Sequence, residues 1–231
     1  MLFGYTLVGI EEICMLKLKA VLAAVVSILP MNFMRVWGYR LLGYKIKECR
    51  IGFGTLIAVE AARLEKCSIG LFNLFIGPLS MLVQEGASIG NRNTFACGFW
   101  TTRQENSHLN YSRSLSIEHS ALITSNHYFD VAGSFILGSG SWVAGIGSQF
   151  WTHGAGVLDR DIRIGSECYL GSAVRFAPGS AIGDAVIVAM GSVVAKKFGE
   201  SHALIGGVPA AILKTGYDWK VQGAASAPVG G

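Results

Sequence analysis

Histidine is the side chain that exchanges a proton near neutral pH, and this chain has five: His108, His119, His127, His153 and His202. Two lie in segments unlike their surroundings. His127 sits in ITSNHYFDV (123–131), where polar and bulky groups interrupt an apolar pattern and Asp130 follows three residues later. His153 sits in SQFWTHG (148–154), two residues after Trp151. A flat apolar wall beside a polar group suits a sugar or a pantetheine arm. Either histidine has the chemistry of a general base toward an attacking hydroxyl or amine. Each also has a plainer alternative. His127 has the alternative of a turn histidine bonded to backbone, but its polar interruption of an apolar repeat favours a functional role and makes it the leading base. His153 reads equally as the neighbour of an edge-covering tryptophan. His108 falls in a polar, aromatic stretch, whereas His119 and His202 read as structural or exposed.

The elements that must hold these groups announce themselves as a repeat. From Ile164 to Phe198, every sixth residue is apolar: Ile164, Leu170, Phe176, Ile182, Val188 and Val194. The residue after each is Gly or Ala. A period of six fits neither a helical stripe near 3.6 nor an amphipathic strand near 2. It fits short strands joined by regular turns, with one side chain inward per strand and a small residue where backbones crowd. The expected fold is an all-β solenoid.

The same dipeptide signal appears earlier at Ile51-Gly52, Ile57-Ala58, Ile69-Gly70, Ile76-Gly77 and Ile89-Gly90. The step from Ile69 to Ile76 is seven residues, which predicts an inserted residue. The rhythm fails from 95 to 116 and resumes at Ile117, Ile123 and Phe129. After two extra residues it continues at Leu137 and Val143, then breaks at Gln149 and again over 154–163. The stretch 95–116 reads as a loop extruded from the solenoid. Such loops are a usual place for binding residues.

Composition narrows the function classes. A net charge of +4 over 231 residues is mild, and no Lys/Arg run is interleaved with aromatics, so a nucleic-acid surface is not expected. The five cysteines (Cys14, Cys49, Cys67, Cys97 and Cys168) form no CxxC pair and read as buried or half-buried thiols of a reducing compartment. Residues 1–50 are apolar, basic and helix-like. Within them Leu16 to Pro30 carries two lysines and then an apolar run too short to span a bilayer, which needs roughly 20 residues. It predicts a helix that packs on the solenoid or lies at a membrane surface; a cleaved signal is the minor alternative. The repeat occupies 51–200, and 201–231 leaves it, ending in GAASAPVGG, which is expected to be disordered.

IGSECYLGSAVRFAPGSAIGDAVIVAMGSVVAKKF (164–198) followed by GGVPAAILK (206–214) resembles the hexapeptide-repeat acyltransferases. LPMNFMRVWGYRLLGYKI (29–46) is similar to the N-terminal segment of their bacterial surface-polysaccharide members. The resemblance implies a left-handed parallel β-helix with an N-terminal helical segment and a short C-terminal helix or arm, assembled as a homotrimer. It implies acetyl-CoA as acyl donor, no metal, and a sugar or glycan acceptor in polysaccharide biosynthesis. The setting would be cytoplasmic, at the inner face of the membrane if the apolar segment binds lipid. The catalytic candidates it implies are His127 and His153, with Asp130, or a main-chain carbonyl in its place, to fix the His127 ring. Gly145, Gly171, Ser172, Ala173, Ala189 and Gly191 would let the pantetheine arm approach backbone. Lys196, Lys197 and Lys214 would meet its phosphates, although Lys197-Phe198 replaces the Lys-Asp pair of many relatives. Trp100, His108, Asn126 and Trp151 would line the acceptor site. Alternatives of related fold are a nucleotide-sugar N-acetyltransferase, a γ-carbonic-anhydrase-like zinc enzyme using His119, His127 and His153, and a non-catalytic scaffold.

Overall fold

The computed structural model describes residues 7–220, with side chains from Met15 onward. The tail 223–231 and the side chain of Cys14 lie outside the described residues. Short parallel strands form two sheets, of 13 and nine strands, wrapped into three faces. The first face holds Thr94–Ala96, Tyr128–Asp130, Gln149–Phe150, Arg175–Phe176 and Val193–Val194. The second holds Ser114–Ile117, Ser134–Leu137, Ile162–Ile164, Ala181–Ile182 and Lys197–Phe198. The nine-stranded sheet is the third face. Two long strands, Leu56–Glu65 and Leu74–Val83, run across the corner that joins the first two faces.

The six leading residues Ile164 to Val194 are all buried, one from each strand. Their small followers have a steric cause. A Cβ added at Gly165 would stand 2.5 Å from the Gly183 carbonyl oxygen of the next coil. In the first half the register differs from the dipeptide reading. Phe75, not Ile76, is the buried residue six after Ile69, so no residue is inserted there. Past Gln149 the inward position is kept, one residue late, by Phe150.

Phenylalanines fill the inside of the first face. Rings of Phe75, Phe95, Phe129, Phe150 and Phe176 follow one another at centroid distances of 4.5, 4.4, 4.6 and 5.2 Å. This is close to the strand spacing of about 4.8 Å, so each ring rests on the ring of the next coil. Cys49, Cys67, Cys97 and Cys168 are buried free thiols.

Two helices, α1 (Leu7–Ser27) and α2 (Asn32–Leu41), cover the first coil. The buried Tyr39 of α2 donates its hydroxyl to the Thr55 carbonyl at 2.7 Å and accepts from the Ile57 N–H at 3.2 Å. No helix among the described residues is long and apolar enough to cross a membrane. At the other end, Ala203–Gly207 and Ala210–Thr215 form an antiparallel hairpin around Val208-Pro209. The exit from the solenoid is thus a β arm among the described residues.

Three edges separate the faces. Residues 124–127, 144–148, 171–174 and 189–192 precede the first-face strands and form a glycine-rich edge. Loops 97–113 and 151–161 leave the opposite side of that face, between the first and second faces. The coil between them turns the same corner tightly, with residues 131–133. This loop edge carries the site.

Candidate active site

Asp130 ends its strand at the loop edge, in register with Ala96 on one neighbour and one step beyond the Phe129–Phe150 pair on the other. That placement puts its carboxylate beside the start of loop 151–161. Asp130 Oδ2 accepts hydrogen bonds from the Thr152 N–H at 3.0 Å and lies 2.9 Å from the Thr152 hydroxyl. His153 Nδ1 is 2.8 Å from the same oxygen. The carboxylate side chain is 6% exposed and the imidazole 42%, so a buried anion orients a ring that reaches the surface. With Nδ1–H given to the carboxylate, Nε2 of the neutral ring is the basic nitrogen.

Aromatic rings frame it. Trp100, from the 3-10 turn Phe99–Thr102, meets the His153 ring edge-to-face at 5.3 Å, and Trp151 lies 6.3 Å away on the other loop. Trp151 itself rests on Tyr128 at 4.9 Å. Trp100 is held by an Asn106 side-chain bond to its carbonyl at 2.8 Å and by edge contact with Tyr111 at 4.9 Å. The guanidinium of buried Arg160 covers Tyr111 at 4.1 Å. Loops 97–113 and 151–161 therefore meet at the His153 ring, each setting a tryptophan beside it.

His127 lies at the opposite, glycine-rich edge. It belongs to a buried polar ladder of Thr55, Asn73, Asn93, His127 and Ser148, each preceding a first-face strand. Thr55 Oγ1 accepts the Asn73 N–H at 3.1 Å, and Asn73 Oδ1 accepts the Asn93 N–H at 2.9 Å. Asn93 Oδ1 accepts the His127 N–H at 2.9 Å, and His127 Nδ1 accepts the Ser148 N–H at 3.1 Å. The ring thus takes an asparagine's place. Its Nε2 faces Thr124 Oγ1 at 2.9 Å, so both ring nitrogens are engaged. Burial pushes its pKa down from 6.5 to about 4, against a smaller opposing effect of the Gly145 carbonyl. The expectation that Asp130 fixes the His127 ring is corrected: the carboxylate bonds His153.

No family model matches the chain, and no curated protein does. Solved structures do. The polysialic acid O-acetyltransferase OatWY is 18% identical, with 76% of this chain and 83% of that one covered at a TM-score of 0.50. The polySia-specific acetyltransferase NeuO is 14% identical with the same coverages and a TM-score of 0.51. The hexapeptide-repeat acetyltransferase VCA0836 of Vibrio cholerae O1 biovar eltor, complexed with acetyl coenzyme A, is 18% identical with 94% of each chain covered and a TM-score of 0.51. This chain has the fold of the hexapeptide-repeat acetyltransferases.

On that hexapeptide-repeat fold the remaining candidates divide between edges. Gly145, Gly171, Ser172, Ala173, Ala189 and Gly191 all lie in stacked turns of the glycine-rich edge. Part of their smallness is structural, because a Cβ at Gly171 would stand 2.9 Å from the Met190 nitrogen. At Gly191 an added Cβ would meet nothing within 4 Å, so that turn presents open backbone. Asn126 is exposed on the same edge, away from the tryptophans. Lys196 lies at the loop edge and Lys197 opens the second-face strand Lys197–Phe198, pairing with Asp159 at 2.7 Å. Lys214 lies on the β arm over Tyr217 at 4.9 Å. One chain does not gather the three lysines. His108 is exposed in loop 97–113.

His119 stands at the third edge, so His119, His127 and His153 occupy three different edges of one prism. Among the described residues no group of three His, Cys, Asp or Glu side chains could hold a metal ion.

Proposed function

We propose that the protein is an acetyl-CoA-dependent O-acetyltransferase that modifies a sugar hydroxyl in bacterial polysaccharide biosynthesis, with His153 as general base. The observation that carries this reading is the 2.8 Å contact of His153 Nδ1 with buried Asp130, which leaves Nε2 unused by the carboxylate on a ring that both Trp100 and Trp151 adjoin. The flanking rings suit the apolar face of a sugar. The acetyl coenzyme A bound to VCA0836 supports the donor, and OatWY and NeuO are named for polysialic acid.

In this account His153 Nε2 removes the proton from the acceptor hydroxyl as its oxygen attacks the thioester carbonyl. Asp130 stabilises the imidazolium that forms and keeps Nδ1 as donor. When the carbon–sulfur bond breaks, the imidazolium returns its proton to the departing thiolate. The products are the sugar ester and free CoA. Open backbone at Gly191 and the small side chains beside it fit a narrow pantetheine arm. Those residues lie across the first face from His153 in the same chain. In the homotrimer we propose, the glycine-rich edge of one copy meets the loop edge of the next. Such a head-to-tail contact closes as a three-membered ring.

The test is mass spectrometry of candidate glycans incubated with acetyl-CoA and the protein. The expected product gains an acetyl group that mild alkali removes, the mark of an ester. An alkali-stable acetyl group would move the reading to N-acetylation of an amino sugar. Absence of transfer to any glycan together with no release of CoA would reject it.

A further inference from the structure

α1 and α2 turn apolar side chains both toward the solenoid and away from it. The inner side of α1 is used: Leu16, Ala23 and Ser27 are buried against the rest of the molecule. Its outer side repeats apolar residues at helical spacing, with Leu18, Val21 and Val25 all more than half exposed. α2 continues the pattern, with Phe33 at 67% and Trp37 at 63% exposure and Leu41 one turn further. A helix that is apolar all round is normally covered on every side. A contiguous exposed patch of this kind marks a docking surface.

Charge distinguishes the occupants. No acidic residue lies between Glu12 and Glu48, whereas Lys17, Lys19, Arg40, Lys45 and Lys47 do. Lys17 and Arg40 are exposed on α1 and α2 themselves, and Lys45 and Lys47 are exposed on the strand that follows α2. Lys47 alone among these four has a described acidic partner, Glu65 at 3.6 Å. A second copy pairing this face with itself in a two-fold contact would set these cations against one another. A negatively charged bilayer would instead take the apolar stripe into its interface and meet the cations at its headgroups. The exposed indole of Trp37 suits the boundary between headgroup and acyl chain.

We propose that the outer face of α1 and α2 is a lipid-binding surface that lays the protein flat on an anionic membrane. This is independent of the catalytic reading, and its test reads no activity. Full-length protein is floated with phosphatidylcholine vesicles that contain or lack phosphatidylglycerol. Protein should rise with the anionic vesicles and remain below with the neutral ones. A variant carrying Phe33→Ser and Trp37→Ser should lose co-flotation by about tenfold or more, at unchanged molecular mass and thermal midpoint. Both side chains are exposed, so the fold does not depend on them. The proposal is overturned if wild-type protein ignores anionic vesicles, or if the variant floats equally well. It is also overturned if the substitutions lower the mass in solution, which would assign the face to contact between copies of this chain.

Discussion

His153 and Asp130 meet at 2.8 Å although they belong to successive coils. The stacking of coils makes the contact: the Gln149–Phe150 strand lies in register on Tyr128–Phe129, so the residues just past each strand meet at one corner. The Thr152 N–H fixes the carboxylate from the side. Asp130→Asn keeps this shape but offers the ring an amide in place of an anion. We expect kcat to fall by about 100-fold or more, with the KM for acetyl-CoA unchanged. Steady-state kinetics on purified protein checks it, and an equal rise in KM would place Asp130 in donor binding instead.

His127 makes a prediction about stability and pH. Its folded pKa of about 4 lies below the ordinary 6.5, so the unfolded chain binds the proton more readily between those values. Its contribution is therefore fully present above pH 6.5 and is lost as pH falls toward 4, by about 3 kcal/mol at most. His127→Asn should keep the acceptor for the Ser148 N–H, as Asn73 and Asn93 do for their neighbours, and should remove this share of the acid sensitivity. His127→Ala should cost about 1–3 kcal/mol at neutral pH by leaving that N–H unpaired. Denaturant midpoints of the three proteins on either side of pH 6 measure both effects.

Trp100 depends on a glycine. A Cβ built on Gly98 collides with the indole of Trp100, so Gly98→Ala must displace that ring from its present seat beside His153. The expected outcome is a higher KM for the glycan with little change in the KM for acetyl-CoA. If neither constant moves, Trp100 takes no part in acceptor binding.

Much of the scaffold was legible because a solenoid core repeats by physical necessity. Ile164 through Val194 were placed inward from spacing alone, and all are buried. The first half was harder to index, since Phe75 and Ile76 are both apolar and only strand pairing shows which points inward. The site was less legible still. Asp130 is close to His127 in sequence, but a strand separates their side chains to opposite edges. The correct partner follows only from which coil lies on which. A signal for the role of His127 was present. Asn73-Leu74-Phe75, Asn93-Thr94-Phe95, His127-Tyr128-Phe129 and Ser148-Gln149-Phe150 share a polar residue two before the inward ring. Aligned on phenylalanine, they mark His127 as one rung of a ladder. Trp100 could not be placed at all from sequence, because loop 97–113 follows no repeat.

The central claim is that His153 is the base, and the most direct measurement is the rate of acetyl transfer by His153→Ala beside His127→Asn. His153 is partly exposed, so its removal should leave the fold and the assembly intact. We expect kcat in His153→Ala to drop by about 100- to 10,000-fold, while His127→Asn stays within a few-fold of wild type. Full activity in His153→Ala, with loss confined to His127→Asn, would contradict the account.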